Sequence, residues 1–279
     1  MLKFEDTVRT TRTVIADTNM SIDIGTLYDV LPITDFVVPV KKKGRRRKGD
    51  VPVVQHLECG SIISAKYNGS HKGVVLGKGK AAFKNSVTIV MDVSGKKINF
   101  KLSKNGRFQI TGNNTDDHIR KCVKHMWAII EQYPDMYSLP DECLSVTFWS
   151  SMENFKINVG FRLDRQNLNT YVNMYTDHIS VFETSSGSAS VNIKMPLHFD
   201  DMELTTLKLV DGKWIIGKTT YNVFSRTTTG KIRNRDDRYV SFLVFHTGEV
   251  IMTSMERSIM KPYFREFIKI IEDCRDIIL

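Results

Sequence analysis

Two stretches of the chain, residues 97–133 and 239–274, carry the same arrangement of apolar and polar positions. Each begins with an apolar run that predicts a strand, and then passes through a glycine turn into a second strand. The turn glycines, Gly106 and Gly248, are 142 positions apart. We infer that the chain holds two copies of one unit, and an internal repeat of this kind predicts a fold with approximate two-fold symmetry.

A threonine ends the second strand of each copy, and an amphipathic helix follows it. Thr111 and Thr253 are also 142 positions apart, and Phe108 and Ile110 alternate with polar positions before Thr111. Because such helices are stable mainly when their apolar stripe is buried, we expect each to pack on the strand pair before it. The predicted stripes are Ile119, Cys122, Val123, Met126, Trp127 and Ile130 in the first helix, and Ile259, Tyr263, Phe267, Ile270, Cys274 and Ile277 in the second.

A first strand and a short helix precede each copy. Residues 12–24 predict the strand, and the helix that follows ends before Pro32. The corresponding part of the second half is residues 150–174, and aligning 19–24 with 158–163 gives an offset of 139. We therefore divide the chain into a first repeat, 1–135, with a basic insert at 41–48, and a second repeat, 136–279, with a long insert near 196–238.

The positive charge of the chain is local. The formal net charge is +9, from 40 basic and 31 acidic residues, but residues 41–48 hold seven basic residues and no acid. Without them 33 basic residues face 31 acidic ones, a net charge of +2. This run could contact DNA phosphates, serve as a nuclear import signal, or solubilise a loop. Its basic residues are Lys41, Lys42, Lys43, Arg45, Arg46, Arg47 and Lys48.

Several classes of protein are disfavoured by what the sequence lacks. It has no apolar run of about 18 residues and no signal-peptide segment, so we expect a soluble intracellular protein without membrane contact. Its four cysteines are dispersed without a CxxC pair, which favours reduced packing thiols. It has no HExxH, no metal-ligand spacing of histidine and cysteine, and no phosphate-loop spacing. We expect no metal, no cofactor and no enzymatic activity.

The turn segments and their helices resemble those of one family. Gly106–Gly112 and Leu243–Thr253, each followed by its helix, occur in two copies of strand, helix, several strands and long helix. This order resembles the TATA-box-binding protein (TBP) family. The resemblance implies an α+β fold, a saddle in which two pseudo-symmetric repeats form one curved antiparallel sheet with helices on the convex face. It also implies that the concave face lies in the DNA minor groove, a bending mechanism for which this family is the standard example.

The resemblance implies roles for individual residues. Thr111 and Thr253 occupy the family's central base-contacting threonine positions, and Arg107 stands at a phosphate-facing position. Phe245 fits a wedge phenylalanine of the family, although it could instead be a core residue, and its equivalent in the first repeat is Ser103. A serine cannot replace lost base stacking, so strong bending at that end is not implied. The remaining implied contact residues are Gln109, Ile251, Ile15, Asn154 and Thr13.

The sequence therefore supports two functional hypotheses. The first is a monomeric TBP-like transcription initiation factor, of viral origin, that binds A·T-rich double-stranded promoter DNA and recruits a TFIIB-like factor and RNA polymerase. Its expected location is the nucleus, or the cytoplasmic viral factory or virion of a large DNA virus. The second is a protein-interaction scaffold that keeps the fold but has lost strong DNA bending. DNA binding distinguishes the two hypotheses.

Overall fold

The computed structural model is α+β, with a large antiparallel sheet and few helices. It describes residues 2–38, 55–76, 84–112, 114–183, 189–197, 201–227 and 238–279, so the basic run at 41–48 lies outside the described residues. The chain forms two compact units. We call residues 14–147 with 207–216 the amino-terminal unit, and residues up to 13, 148–206 and 217–279 the carboxy-terminal unit. Each unit is assembled from more than one stretch of the chain.

The amino-terminal unit has the strand order β1-β7-β6-β5-β3-β4. The pairs β3–β4, β3–β5, β5–β6 and β6–β7 are antiparallel. A separate two-stranded sheet joins β2 and β8. The elements are β1 (Val8–Thr18, shared with the other unit), β2 (Ser21–Ile22), α1 (Ile24–Val30), β3 (Ile62–Tyr67), β4 (Ser70–Gly73), β5 (Ser86–Val93), β6 (Lys96–Ser103), β7 (Phe108–Thr111), α2 (Asp116–Ile130) and β8 (Tyr137–Ser138).

The carboxy-terminal unit has the strand order β10-β11-β14-β15-β9, and β1 follows β9. The pairs from β10 to β9 are antiparallel. The elements are β9 (Ser145–Asn158), α3 (Arg165–Tyr175), β10 (Ile179–Glu183), β11 (Ser190–Pro196), β12 (Glu203–Val210), β13 (Lys213–Thr220), α4 (Tyr221–Thr227), β14 (Tyr239–Phe245), β15 (Glu249–Ser254), α5 (Arg257–Asp273) and α6 (Arg275–Ile278). Strands β9, β12 and β13 extend into the other unit.

Helix α2 forms as the sequence predicts. All six residues of its predicted stripe are buried. The helix begins after Thr115, whose hydroxyl accepts a hydrogen bond from the His118 amide while the His118 side chain accepts one from the Thr115 amide. This reciprocal cap satisfies amides that the first helical turn leaves without a partner. Asp116 and Asp117 follow in the first turn, where carboxylates interact favourably with the helix dipole.

The predicted stripe of helix α5 is partly wrong. Phe267 and Ile270 are buried as predicted, but the centre of the buried face is formed by Met260, Phe264, Phe267 and Ile271. Ile277 is 53% exposed, because α5 ends at Asp273 and the chain turns into α6 before reaching it. On this face the ring of Phe267 stacks on the ring of Phe242, with ring centroids 4.4 Å apart. Helix α5 is thus fixed to strand β14.

Two cysteines are buried under helices, and two are accessible. Burial raises the pKa of the Cys122 thiol to about 12 and that of Cys274 to about 11. Cys59 is exposed and Cys143 is half-buried. Because the thiolate is the reactive form, we expect iodoacetamide to modify Cys59 and Cys143 in the native protein at least about 100-fold faster than Cys122 and Cys274.

This expectation is checked by mass spectrometry of tryptic peptides after timed alkylation. The control is the same reaction in strong denaturant, where all four thiols should react at similar rates. Alkylation of Cys122 in the native protein at the rate of Cys143 would mean that α2 does not cover its thiol.

Candidate nucleic-acid interface

Among the described residues, helices α3 and α5 pack on one face of the carboxy-terminal sheet, and the side chains on its other face point away from them. Strand residues alternate between its two faces, and Val240, Phe242 and Val244 of β14 are buried in the core with helices α3 and α5. The residues between them, and their cross-strand partners, therefore point to the opposite side. We call this side the carboxy-terminal open face, and it consists of Asn192, Lys194, Ser241, Leu243, Phe245, Glu249, Ile251, Thr253, Asn154, Lys156 and Asn158.

A chain of side-chain hydrogen bonds crosses this open face. Thr253 donates its hydroxyl to the Asn154 Oδ1 at 2.8 Å, and the Asn154 Nδ2 donates to the Thr11 Oγ1 at 2.9 Å. The chain fixes the Asn154 amide and uses the single hydrogen of the Thr253 hydroxyl. The second amide hydrogen of Asn154 remains as a donor, because each Nδ2 carries two hydrogens. A ligand with hydrogen-bond acceptors could accept a hydrogen bond from the Asn154 amide, and Thr253 holds that amide in its orientation.

Phe245 lies on the open face and not in the core. It is half-buried and lines an open cavity of about 630 Å³ whose wall also includes Lys156, Arg165, His246 and Ile251. Arg165 lies with its guanidinium carbon 5.4 Å from the ring centroid of Phe182 and is thereby held beside this cavity. The cavity combines an aromatic side chain with cationic groups, a pairing suited to a planar base or sugar next to a phosphate.

The charged groups of the carboxy-terminal open face are mostly basic. Lys156 and Glu249 form a half-exposed ion pair at 2.6 Å, so their charges cancel. Lys194 lies 6.0 Å from the ring centroid of Tyr239. Since a solvated ion pair contributes little, Lys156 can exchange its carboxylate for a phosphate at small cost. This face can therefore supply two ammonium groups to a polyanion.

In the part of the chain that the structure describes, the amino-terminal sheet also has a face on which no helix lies. Phe108, Ile110 and Phe100 are buried, and the alternate positions of the same strands are accessible to different degrees. Cross-strand pairing places Thr111 beside Asn99, and Gln109 beside Lys101. The amino-terminal open face consists of Lys66, Ser86, Thr88, Asn99, Lys101, Ser103, Gln109 and Thr111.

One end of this face is covered. Asp92 is buried and forms an ion pair with Lys97, and the Lys97 Nζ lies 4.9 Å from the ring centroid of Phe36. The segment around Phe36 therefore lies over the end of β5 and the beginning of β6. Thr111 and Gln109 on the neighbouring strand β7 are exposed, although Thr111 pairs with Asn99, which is two residues from Lys97.

Three of the predicted contact residues are not available to a ligand. Ile15 and Thr13 have only 8% and 6% of their surface exposed, because consecutive residues of β1 are buried from position 13 to 17. Arg107 is engaged by Asp17 through two hydrogen bonds, of 3.1 and 2.7 Å. Asp17 is buried, so this pair is held in place and is a poor phosphate ligand. Burial of Ile15 and Thr13 and the ion pair of Arg107 thus disfavour the contacts that the resemblance implies for these three residues, and those contacts remain predictions.

The other predicted residues divide by position. Thr111 and Gln109 are exposed on the amino-terminal open face, and Ser103 lies beside them with its hydroxyl 2.7 Å from the Asn105 Oδ1. Thr253, Ile251, Asn154 and Phe245 lie on the carboxy-terminal open face. The sequence reasoning missed the lysines of both faces, Lys66, Lys101, Lys156 and Lys194. Continuing the alternation of each strand by two residues would have found Lys101, which precedes Ser103 on β6.

Other chemistry finds little support in the part of the chain that the structure describes. Within it, no group of three or more histidine, cysteine, aspartate or glutamate residues could hold a metal ion. None of its helices is both long enough and apolar enough to cross a lipid bilayer. The open faces, with their hydroxyl, amide and ammonium groups, are the surfaces that carry candidate chemistry.

Comparison with known proteins finds similarity both to a curated sequence and to solved structures. No protein-family model matches the chain. A curated protein, "Uncharacterized protein 335L" of Invertebrate iridescent virus 6, is 25% identical over 209 residues, which span 70% of this chain and 62% of the relative. A solved structure, Methanococcus jannaschii TBP, is 11% identical with a TM-score of 0.46, and the alignment covers 96% of this chain and 98% of that one.

Proposed function

We propose that this protein is a TBP-like factor that binds A·T-rich double-stranded DNA in the minor groove through the open faces of its two units. One observation carries the proposal: Thr111 and Thr253 stand at the same place after a turn glycine, and each points away from the described helices of its own unit, on a face rich in hydroxyl and amide groups. The pseudo-symmetric saddle implied by the resemblance is part of this proposal.

The two units follow similar local plans, which supports a duplicated origin. Asp23 caps helix α1 and Asp164 caps helix α3, each through its carboxylate. A side chain at Gly106 would collide with the Met20 carbonyl, and one at Gly248 with the Phe161 carbonyl. Asp23 and Asp164 are 141 positions apart, so the helix starts differ by two from the offset of 139 inferred for the first strands.

The chemistry of the open faces suits the minor groove. A·T pairs present only acceptors there, the adenine N3 and the thymine O2. Asn154 offers an amide hydrogen beside Thr253, and Gln109 offers a second amide beside Thr111. In a G·C pair the guanine amino group is itself a donor, so it would face these amide donors without an acceptor between them, and this disfavours G·C pairs. Lys101, Lys66 and Lys194 are placed to contact phosphates on either side.

The biological setting we propose is viral transcription. The iridescent-virus relative motivates a viral origin, and a large DNA virus that carries its own transcription apparatus needs a promoter-recognition factor. We further propose that the bound protein recruits a TFIIB-like factor and RNA polymerase, in the nucleus or a cytoplasmic viral factory. Co-purification of polymerase subunits with the tagged protein from infected cells, lost when DNA binding is removed, tests this step.

Replacing the Asn154 amide tests the base-reading role. We expect Asn154→Asp to reduce the preference for A·T-rich over G·C-rich duplex at least 10-fold, because it exchanges a donor for an anionic acceptor that A·T edges repel. Thr253→Val, which removes the hydroxyl and keeps the shape, should have a smaller effect in the same direction. Both are measured by fluorescence anisotropy on matched duplexes at one stated salt concentration.

The matched control is Thr219→Val in strand β13, which makes the same chemical change at a half-buried threonine that is not among the residues of either open face. An unchanged A·T preference in Asn154→Asp would contradict the proposal. Deletion of residues 41–48 should instead weaken binding to all sequences alike and flatten its salt dependence, as loss of phosphate contacts does.

A second function, the interaction scaffold, is favoured by two observations. Ser103 stands in the wedge position of the first repeat, and Arg107 is held by Asp17. Both weaken the case for DNA bending at that end. Förster transfer between dyes at the two ends of a short A·T-rich duplex separates the hypotheses. Binding with no A·T preference and no change in end-to-end distance would support the scaffold.

A further inference from the structure

The helix side of the carboxy-terminal unit contains a groove that the DNA proposal does not use. It runs between the segment of residues 2–5 and helix α5, with a volume of about 320 Å³. Its floor is apolar: Phe4 and Phe264 are buried with ring centroids 5.6 Å apart, and Leu2 and Ile268 are half-buried beside them. The volume is large enough for one or two large apolar side chains of a partner.

A basic stripe borders this groove. Lys261, Arg265 and Lys269 are spaced by four residues on α5, so they lie on one side of the helix, and Lys3 adds a fourth cation from the opposite wall. The acids of the lining are Glu5 and Glu272. Glu5 is engaged by Lys261 at 2.6 Å, and this hydrogen bond lowers the pKa of the Glu5 carboxyl.

Arg265 and Lys269 form no ion pair among the residues that the structure describes, and both are exposed. An apolar floor beside exposed cations is complementary to a helix with apolar residues on one face and acids on the other. Helix-in-groove recognition of this kind places apolar anchors at spacings of three, four and seven. The cations would then stand opposite the partner's acids and fix its register.

We propose that this groove, which we call the α5 groove, is a docking site for an acidic amphipathic helix of a partner protein. An apolar anchor would fill the space over Phe4, Phe264 and Ile268, and acids of the partner would pair with Arg265 and Lys269. The proposal does not depend on the DNA-binding function, because α5 packs on the side of its sheet opposite the open face.

The direct test uses a synthetic helical peptide of about 15 residues, labelled with fluorescein, with leucine and phenylalanine on one face and glutamate and aspartate elsewhere. We expect saturable binding in fluorescence anisotropy. Arg265→Glu combined with Lys269→Glu should weaken it at least 10-fold. The control, Lys208→Glu combined with Lys213→Glu on the β12–β13 hairpin, makes the same change in net charge on exposed residues and should leave binding within two-fold.

Further binding experiments test whether the α5 groove takes an acidic helix and not another ligand. A peptide with lysine in place of its acids should not bind, and Ile268→Ser should weaken the acidic peptide while the circular dichroism spectrum is unchanged. An A·T-rich duplex should not displace the peptide, and Asn154→Asp, which is expected to reduce the preference for A·T-rich duplex, should leave peptide binding unchanged. Absence of saturable binding, equal binding by the charge-reversal variant, displacement by duplex, or self-association abolished by that variant would each overturn the proposal.

Discussion

Gly248→Ala should lower the free energy of unfolding by about 4 kcal/mol or more, whereas Gly212→Ala should cost only about 1–2 kcal/mol. Both glycines have a left-handed backbone, with φ of 82° at Gly248 and 72° at Gly212. The two positions differ in their surroundings. A Cβ at Gly248 would lie 2.2 Å from the Phe161 carbonyl oxygen, whereas a Cβ at Gly212 has no atom within 4 Å.

Comparing the two variants separates the energetic cost of the steric collision from the cost of a left-handed backbone at alanine. The Gly212 variant measures the cost of left-handed alanine alone, and the excess in the Gly248 variant measures the cost of moving backbone at the β14–β15 turn. The amino-terminal unit offers the same pair, Gly106 against Gly95, where the collision is with the Met20 carbonyl oxygen at 2.3 Å. Equal losses at Gly248 and Gly212 in urea denaturation, followed by circular dichroism and tryptophan fluorescence, would contradict this account.

The turn glycines are also where sequence reasoning succeeds best. The spacing alone identifies Gly106 and Gly248, and both occupy turns that only glycine enters without strain. The strands around them and helix α2 follow because period-2 and period-3.6 patterns are read locally. Such patterns can be recognised within one segment of the sequence, without knowing which other strands or helices pack against that segment.

The first strands are harder to predict because their alternation is irregular. Along β9 the buried residues are Val146, Phe148 and Ser150, and after that Glu153, Phe155 and Ile157, so the pattern shifts by one position in the middle of the strand. Such a shift is what an extra residue in a strand produces. Strand β1 departs from alternation in its own way, because residues 13–17 are all buried, and simple alternation would instead leave every second one of them accessible.

Pairs of distant charges are the second source of error. Asp17 lies 90 positions from Arg107, and nothing in either segment indicates that the two side chains meet. The sequence suggests that Arg107 binds a phosphate, but in the folded chain its guanidinium is paired with the buried Asp17 carboxylate. The same applies to Glu153, which is only 2% exposed although glutamate is rarely so buried.

The environment of Glu153 leads to the second large prediction. Its Oε1 lies 2.8 Å from the Arg12 Nε, and the Ser150 hydroxyl lies between them at 2.9 Å from Arg12 and 3.3 Å from Glu153. Arg9 approaches the same oxygen at 3.6 Å. The Arg12 and Glu153 side chains are only 15% and 3% exposed. The pair therefore lies in a poorly solvated part of the carboxy-terminal unit.

Arg12→Met is expected to lower the free energy of unfolding by about 3–5 kcal/mol, because it leaves the Glu153 carboxylate buried without its nearest cation. The double variant Arg12→Met with Glu153→Leu should recover most of that loss, since both charges are then replaced by apolar side chains of similar size. Recovery would show that the cost comes from the unpaired charge and not from the shape of the methionine side chain beside β9.

The control is Lys218→Ala, which breaks the exposed Lys218–Glu203 ion pair and should not measurably change stability. Denaturant unfolding of the parent protein, the two single variants and the double variant at neutral pH completes the double-variant cycle. A loss in Arg12→Met as small as that in Lys218→Ala would mean that Arg9 or solvent neutralises Glu153. A double variant less stable than Arg12→Met would mean that the polar groups of β1 and β9 specify the packing of these strands instead of merely tolerating it.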